Sequence, residues 1–301
     1  MKILFISRLY HPHLGGVEKH VREVSKELIK KGHRLTVLTE KYDRNLKNEE
    51  TVDKVKIVRF SYPQIKLFGL LSIWKYIFQN RKIIVNADIV HCHDVFIWYL
   101  PFRLLYPKKK VYVTFHGWEG IWPIPWKNIM IRRLSAKLSK GLITVAKGTA
   151  KHYGIKSDKI IYGATSKISN IDYRNKKDKH KIVFVGRLNK DNGILSFFEW
   201  LRKHKKYNVD FVGDGDLKDQ CKKYGVVHGY TDSTPFMKEA AICVPGGYLS
   251  FIEAKKYGCK IITFPTTKIM KGFWSEIEKV KKFPTWEELA DEYLDLYNHF
   301  K

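Results

Sequence analysis

The first forty residues constrain this chain more than any other stretch. Lys2–Ser7 (KILFIS) is short, apolar and β-prone, and Gly15-Gly16 closes the loop that follows it. Val17, Val21, Val24 and Leu28 then recur at helical spacing until Gly32, and Arg34–Glu40 supplies a second strand. A Gly-Gly pair at this point lets backbone N–H groups approach a ligand at a helix N-terminus, where unpaired donors and the helix dipole favour an anion. The loop lies at the carboxyl end of a strand, where open α/β sheets bind ligands. The dinucleotide fingerprint G-x-G-x-x-G is absent. A plain tight connection also explains Gly15-Gly16, and the residues alone leave both readings open.

The same alternation continues. Val55–Phe60, Asp88–His91, Lys110–His116 and Gly141–Val145 read as strands, with helical patterns at Lys66–Lys82, Val95–Tyr106 and Trp126–Ser139 between them. Strands alternating with helices argue for a parallel, doubly wound sheet. Thr165–His180 turns polar and basic, as a linker does. The alternation then restarts with strands at Lys181–Gly186, Tyr207–Gly213, Val226–Gly229, Ile242–Pro245 and Lys260–Phe264. Helices at Gly193–Lys205, Asp216–Tyr224 and Leu249–Tyr257 lie among them. The expected division is residues 1–165, a linker at 166–180, a second α/β domain at 181–284 and a closing helix at 285–301. In that helix Thr285 and Glu288 suit a capping box, and Trp286, Leu289, Tyr293, Leu296, Tyr297 and Phe300 form an apolar stripe.

Composition narrows the class. A chain of 301 residues with 44% hydrophobic and 29% charged residues suits about two globular domains, each with its own core. Cys92, Cys221, Cys243 and Cys259 lack C-x-x-C spacing, which points to a reduced, cytoplasmic setting rather than a disulfide framework. Met1–Ser7 reads as a core strand, so no signal peptide is expected, and no apolar run is long enough to span a bilayer. The charge is the outlier: 56 Lys+Arg against 30 Asp+Glu gives +26, a field that favours anionic partners.

Several constellations suit such a partner. In VFVGRLNKDNG, Arg187 projects from a strand's carboxyl end and offers a planar fork to phosphate oxygens. FVGDGDL (Phe211–Leu217) places Gly213 and Asp214 in another strand-to-helix turn. In PGGYLSFIEAKKYG (Pro245–Gly258) a helix begins near Leu249-Ser250, where its amides suit a diphosphate without a metal. Glu253, one turn in, suits vicinal ribose hydroxyls, although Ser250-x-x-Glu253 also reads as a capping box that needs no ligand. His116, in VYVTFHGW, lies at a strand's carboxyl end as a candidate hydrogen-bond donor or acid. His91, Cys92 and His93 alternate between strand faces and lack a nearby ligand cluster, so no metal site is expected.

Taken together, these segments resemble glycosyltransferase family 4, the group 1 glycosyl transferases. The resemblance rests on FISRLYHPHLGGVEKHVREVS (Phe5–Ser25), its GHRLTVLT continuation, VTFHG, VGRL, VGDGD and the SFIEAKKYG helix, in that order across most of the chain. It implies the GT-B fold, with two Rossmann-like doubly wound parallel-sheet domains facing across a cleft. It also implies a retaining enzyme that moves a hexose-type sugar from a nucleotide diphosphate sugar to a glycan, lipid-linked or other acceptor, with no cofactor. On that resemblance Gly16 covers the donor phosphates, His116 approaches the sugar, and Arg187 neutralises the diphosphate. Gly213 and Asp214 line the nucleotide side, Leu249 and Ser250 supply amides, and Glu253 holds the ribose. Two positions depart from the family pattern. Pro245 stands where the family has the first of two glutamates, and Asn192 where it has a lysine, with Lys190 two residues early.

Ile65–Lys82 and Ile121–Lys140 combine aromatic and aliphatic residues with positive charge and contain no acid. Helices of that kind lie in an anionic membrane interface, which suits a peripheral protein with a lipid-linked acceptor; packing on the sheet is the competing explanation. A nucleic-acid-binding basic protein is disfavoured, because the aromatics cluster with aliphatics and form no stacking platform, whereas the Pro245 and Asn192 departures leave a low-activity enzyme, an unusual donor or a non-catalytic binding protein open. A GT-B-type nucleotide-sugar epimerase keeps the same fold with different chemistry.

Overall fold

The computed structural model describes residues 1–167 and 177–299. Most of the expected linker, residues 168–176, lies outside the described residues, as do Phe300 and Lys301. The chain forms two compact units. One comprises Met1–His13, Val17–Ile161 and Trp286–Lys301; the other comprises Leu14–Gly16 and Tyr162–Thr285.

The first unit is built on eight strands: β1 (Lys2–Ser7), β2 (Arg34–Glu40), β3 (Glu49–Val52), β4 (Val55–Phe60), β5 (Ile89–His93), β6 (Lys110–Phe115), β7 (Gly141–Val145) and β8 (Lys159–Ile161). Their order is β3-β4-β2-β1-β5-β6-β7-β8, parallel throughout except that β3 runs antiparallel to β4. The order reverses between β1 and β5, which makes that pair the switch point of the sheet. The β3–β4 hairpin is an addition to the elements read from sequence. Its turn puts Asp53 and Lys54 at φ 52° and 63° without the Asn or Gly that such a turn ordinarily advertises. Arg22 secures it through a 2.9 Å ion pair to Asp53.

Helices α1 (Gly16–Lys30), α2 (Lys66–Gln79), α3 (Lys82–Val85), α4 (Phe96–Leu105), α5 (Trp126–Leu138) and α6 (Lys147–Tyr153) connect these strands. Val21, Val24 and Leu28 of α1 are fully buried, as their spacing requires. Each contributes about 1.5–3 kcal/mol of apolar burial. On one face of the sheet Val90, Cys92, Val111 and Val113 pack with Ile73 and Ile77 of α2 and with Phe96, Tyr99 and Phe102 of α4. Strand alternation sends His91 and His93 to the opposite face.

The second unit carries β9 (Asp178–Val185), β10 (Asn208–Val212), β11 (Val226–Gly229), β12 (Ala240–Pro245) and β13 (Lys260–Ile261), all parallel, in the order β11-β10-β9-β12-β13. β9 begins at Asp178, inside the span expected to be linker. Val183 and Phe184 on it are fully buried, and the strand reaches back from them across a register shift to Asp178, which pairs with Ala240. Helices α7 (Ile194–Lys203), α8 (Lys218–Cys221), α9 (Thr234–Glu239), α10 (Tyr248–Lys256) and α11 (Lys268–Glu278) complete the unit. Phe184, Phe197 and Phe211 centre its core. The sequence pattern missed α11, which Thr267 caps by accepting the Met270 N–H.

The last helix, α12 (Trp286–His299), belongs to the first unit. Its stripe residues Trp286, Leu289, Tyr293, Leu296 and Tyr297 are buried. Tyr293 and Tyr297 lie against His91 on the sheet face away from α2 and α4, with ring centroids 5.0 Å and 5.7 Å from it.

Candidate functional site

In the second sheet the strand order reverses between β9 and β12, and Val185 pairs with Pro245 at their carboxyl ends. Two of the singled-out segments emerge side by side here: the Gly186-Arg187 loop and the Gly246-Gly247 turn into α10. A crevice at such a reversal is where doubly wound sheets bind ligands. Three glycines make the close approach possible. A Cβ on Gly213 would lie 1.9 Å from the Gly186 carbonyl oxygen, and one on Gly186 would lie 2.7 Å from the Gly246 Cα. The backbones of three strand ends thus touch where no side chain fits. Gly213, expected beside the nucleotide, has a packing reason of its own.

Arg187 is exposed, and its guanidinium meets Asp191 at 2.9 Å. Asn192, standing where the family pattern has lysine, donates from Nδ2 to the Arg187 carbonyl at 2.9 Å and so shapes the loop instead of carrying charge. Lys190 sits beside it, exposed, in a short 3-10 turn at Lys190–Asn192. Asp214 accepts the Gly215 N–H at 2.9 Å and faces Lys218 at 3.2 Å, and these contacts hold its carboxyl below the usual range. Pro245 ends β12 buried.

The helix α10 is capped three residues before Ser250, and that placement changes the role of the serine. The N-cap is Gly247, and Ser250 Oγ both accepts the Gly247 N–H at 3.2 Å and donates to the Gly247 carbonyl at 2.9 Å. Ser250 therefore closes its own first turn, and the Ser250–Glu253 capping box expected from spacing does not form. Glu253 lies partly buried one turn further on, and Leu249 is buried.

Glycines whose presence the fold does not demand are informative by contrast. A Cβ on Gly16, Gly117 or Gly247 would meet nothing within 4 Å, and none of the three has a positive φ. Gly16 opens α1 and Gly247 caps α10, so both leave helix-terminal amides unobstructed.

In the first unit His116 ends β6 but is buried, not set out as an acid. Its Nε2 lies 2.9 Å from His93 Nδ1, and its N–H donates to Asp94 Oδ1 at 3.0 Å. Burial, reinforced by His91 and Arg132, pushes its pKa down to about 3, so the ring is neutral and the acid role falls away. What remains is hydrogen bonding by a neutral imidazole. His116 is part of a layer that the sequence reading missed. His91 bridges Tyr297 and Thr114, each at 2.7 Å; Thr114 meets Tyr293 at 3.0 Å, and Tyr293 meets His20 at 2.9 Å. The period-two spacing of His91 and His93 was the available signal, but nothing in sequence placed Tyr293 opposite them.

Arg132, also missed, organises the loop after β6. It donates to the Gly117 carbonyl at 2.6 Å and to Glu119 at 2.8 Å, and it lies between the rings of Phe115 and Tyr153 at 4.6 Å and 4.2 Å. Asp94, 3.7 Å from Arg132, has its pKa raised to about 6 by desolvation. With 29% of its side chain exposed, solvent moderates that effect. Among the described residues no group of three or more His, Cys, Asp or Glu is arranged to hold a metal ion.

The family profile described as Glycosyltransferase Family 4 matches residues 14–161. The uncharacterized glycosyltransferase MJ1607 of Methanocaldococcus jannaschii is 24% identical over 346 aligned positions, which cover 94% of this chain and 85% of that protein. Sucrose-phosphate synthase (tll1590) from Thermosynechococcus elongatus superposes with a TM-score of 0.77 at 14% identity, over 99% of this chain and 98% of that one. S. aureus TarM, solved with fondaparinux, alpha-GlcNAc-glycerol and UDP, superposes with a TM-score of 0.68 at 13% identity, over 99% of each chain. Two doubly wound parallel-sheet units of this kind make up the GT-B fold. The amino-terminal half of the chain thus carries the glycosyltransferase family 4 profile, and the chain is a transferase enzyme.

Proposed function

We propose that the chain moves a hexose-type sugar from a nucleotide diphosphate sugar to a glycan or lipid-linked acceptor, with retention at the anomeric carbon. The observation that carries this reading is the pairing, at one switch point, of an exposed arginine with an unobstructed helix N-terminus. Among the described residues Arg187 pairs with Asp191, an exposed pair worth about 0–1 kcal/mol, so its fork is transferable to phosphate at little cost. The UDP bound in TarM supports a nucleotide donor.

Sugar departure builds negative charge on the diphosphate, and donors fixed in advance around that charge are the effect expected to matter most. Arg187, the Leu249 and Ser250 amides and the Gly16 amide are assigned to it. Glu253 takes the ribose hydroxyls, with Gly213 and Asp214 on the nucleotide side. His116 contributes a neutral imidazole, positioned through His93. No metal is assigned. Cytoplasmic residence is supported by four unpaired, buried cysteines.

The test is a thermal-shift screen of uridine, guanosine and adenosine diphosphate sugars, with a transfer assay on each stabilising donor and NMR of the product's anomeric carbon. Transfer that survives EDTA and collapses in Arg187→Ala supports the assignment. An Arg187→Ala enzyme with unchanged turnover refutes it, and epimerised donor without transfer assigns different chemistry to the fold.

A further inference from the structure

The helix layer over one face of the first sheet has an outer side that the fold leaves unused. α2, α4 and α5 lie next to one another there, and Trp74 Nε1 of α2 donates to the Ile97 carbonyl of α4 at 2.9 Å. Their inner sides are accounted for: Ile73 and Ile77 of α2, Tyr99 and Phe102 of α4, and Arg132 and Ser135 of α5 are buried. Packing on the sheet therefore accounts for the inner sides of these helices, and the outer sides are left to be explained. The outer sides present Leu67 (65% exposed), Phe68 (66%), Leu71 (47%), Leu104 (76%), Trp126 (64%) and Met130 (58%). Exposed aliphatics and aromatics at this density, on neighbouring helices, mark an interaction face.

Its charge is one-sided. None of α2, α4 and α5 contains Asp or Glu. Lys75, Lys82, Lys127 and Lys137 stand exposed on or beside the same helices. The nearby acids, Glu119 and Asp94 at Arg132 and Glu49 near Tyr76, stand on other elements, so the exposed charge that these three helices themselves carry is positive. Two like-charged copies of such a face repel, which disfavours self-association. Four of the six are aliphatic or methionine, and the two aromatics, Phe68 and Trp126, stand on different helices, which disfavours a continuous base-stacking platform. An apolar stripe rimmed by lysine matches the boundary between anionic headgroups and acyl chains. No helix among the described residues is long and apolar enough to cross a membrane.

We propose that the outer face of α2, α4 and α5 docks on an anionic lipid bilayer, with Leu67, Phe68, Leu71, Leu104, Trp126 and Met130 entering the interface and the lysines meeting the headgroups. This deepens the proposed function by naming the surface on which a lipid-linked acceptor is met, and its test is independent of catalysis.

The experiment is flotation of the full chain with vesicles of phosphatidylcholine alone and of phosphatidylcholine mixed with phosphatidylglycerol. Two variants, Leu67→Ser with Phe68→Ser and Trp126→Ser with Met130→Ser, change only exposed side chains. The expected result is salt-sensitive binding to the mixed vesicles, weakened about tenfold or more by either variant while the melting temperature and transfer to a water-soluble acceptor stay as in the parent. A blue shift of tryptophan emission on vesicle addition, reduced in Trp126→Phe, supports the same geometry. Absence of binding to the mixed vesicles overturns the proposal, as does binding that both variants leave unchanged. A self-association or a nucleic-acid affinity that these substitutions abolish, with vesicle binding intact, reassigns the face and also overturns it. Loss of transfer activity in a donor-site variant leaves vesicle binding untouched, so the two readings fail separately.

Discussion

Replacing Gly213 by alanine should cripple the second unit, whereas the same change at Gly16 should leave stability alone and damage function. At Gly213 the backbone has φ +149°, a region that L side chains rarely adopt, and the new Cβ would lie 1.9 Å from the Gly186 carbonyl oxygen and 2.9 Å from its carbon. The first feature costs about 1–3 kcal/mol in backbone strain. Overpacking against backbone on a neighbouring strand adds about 1–3 kcal/mol more. Together they amount to about 2–6 kcal/mol, or a fall in melting temperature of roughly 5–20 °C for a unit of this size. At Gly16 a Cβ meets nothing within 4 Å and φ is not positive, so alanine changes stability by no more than about 1 kcal/mol. Calorimetry of both variants, with tryptophan fluorescence to follow unfolding, reads the two numbers. Titration with a stabilising nucleotide sugar then reads donor affinity, which should drop in Gly16→Ala although its melting temperature stays normal. The reasoning fails if Gly213→Ala melts within about 2 °C of the parent, a shift smaller than 1 kcal/mol produces. It fails equally if Gly16→Ala binds donor as the parent does, the loss expected there being shared only by variants such as Arg187→Ala that also touch the diphosphate.

Three further outcomes are expected. Arg187→Ala should shift unfolding by less than about 1 kcal/mol, because it breaks only an exposed ion pair, yet reduce kcat on the order of 10²–10³-fold, as measured by steady-state kinetics. Acid should loosen the first unit: burial lowers the pKa of His20 and His93 and brings His91 and His116 to about 3, against about 6.5 in the unfolded chain. Below pH 6.5 the unfolded state takes up protons that the folded state refuses, so stability is complete above that pH. It falls by about 1.4 kcal/mol per unit for each histidine as pH drops. Asp94, raised to about 6, works in the opposite direction and blunts the fall below that pH. A melting temperature that stays flat from pH 7 to pH 5 contradicts the histidine assignment. Tyr293→Phe removes the hydroxyl between His20 and Thr114 and should cost about 1–3 kcal/mol in a urea titration, since it strands buried polar atoms.

The architecture was legible because each strand and helix carries its own period. Val21, Val24 and Leu28 announce α1, and the apolar run at Lys110–Phe115 announces β6. The elements that escaped, β3, β8, α3, α6, α9 and α11, are short or rest on partners distant in sequence. The Asp53-Lys54 turn, for example, is tied down by Arg22 rather than by a glycine. At the candidate site, Arg187 and the start of α10 were readable from their position at strand ends. Ser250 was misread because the helix is capped at Gly247, three residues before the serine, which makes Ser250 its third residue. His116 was misread for a deeper reason. A histidine at a strand's carboxyl end looks available, and only the tertiary arrangement shows Asp94 and His93 already occupying it.

The return of α12 to the first unit has a consequence for biosynthesis. Residues 162–285 are contiguous and leave the ribosome before the chain's final fourteen-residue helix, so the second unit can fold as an insert while its host is still incomplete. Until Tyr293 and Tyr297 arrive, His91 and Thr114 lack the hydroxyl partners that satisfy them in the finished molecule. The first unit is begun early and sealed last, and a nascent chain cut short anywhere in the second unit leaves that polar layer open to water.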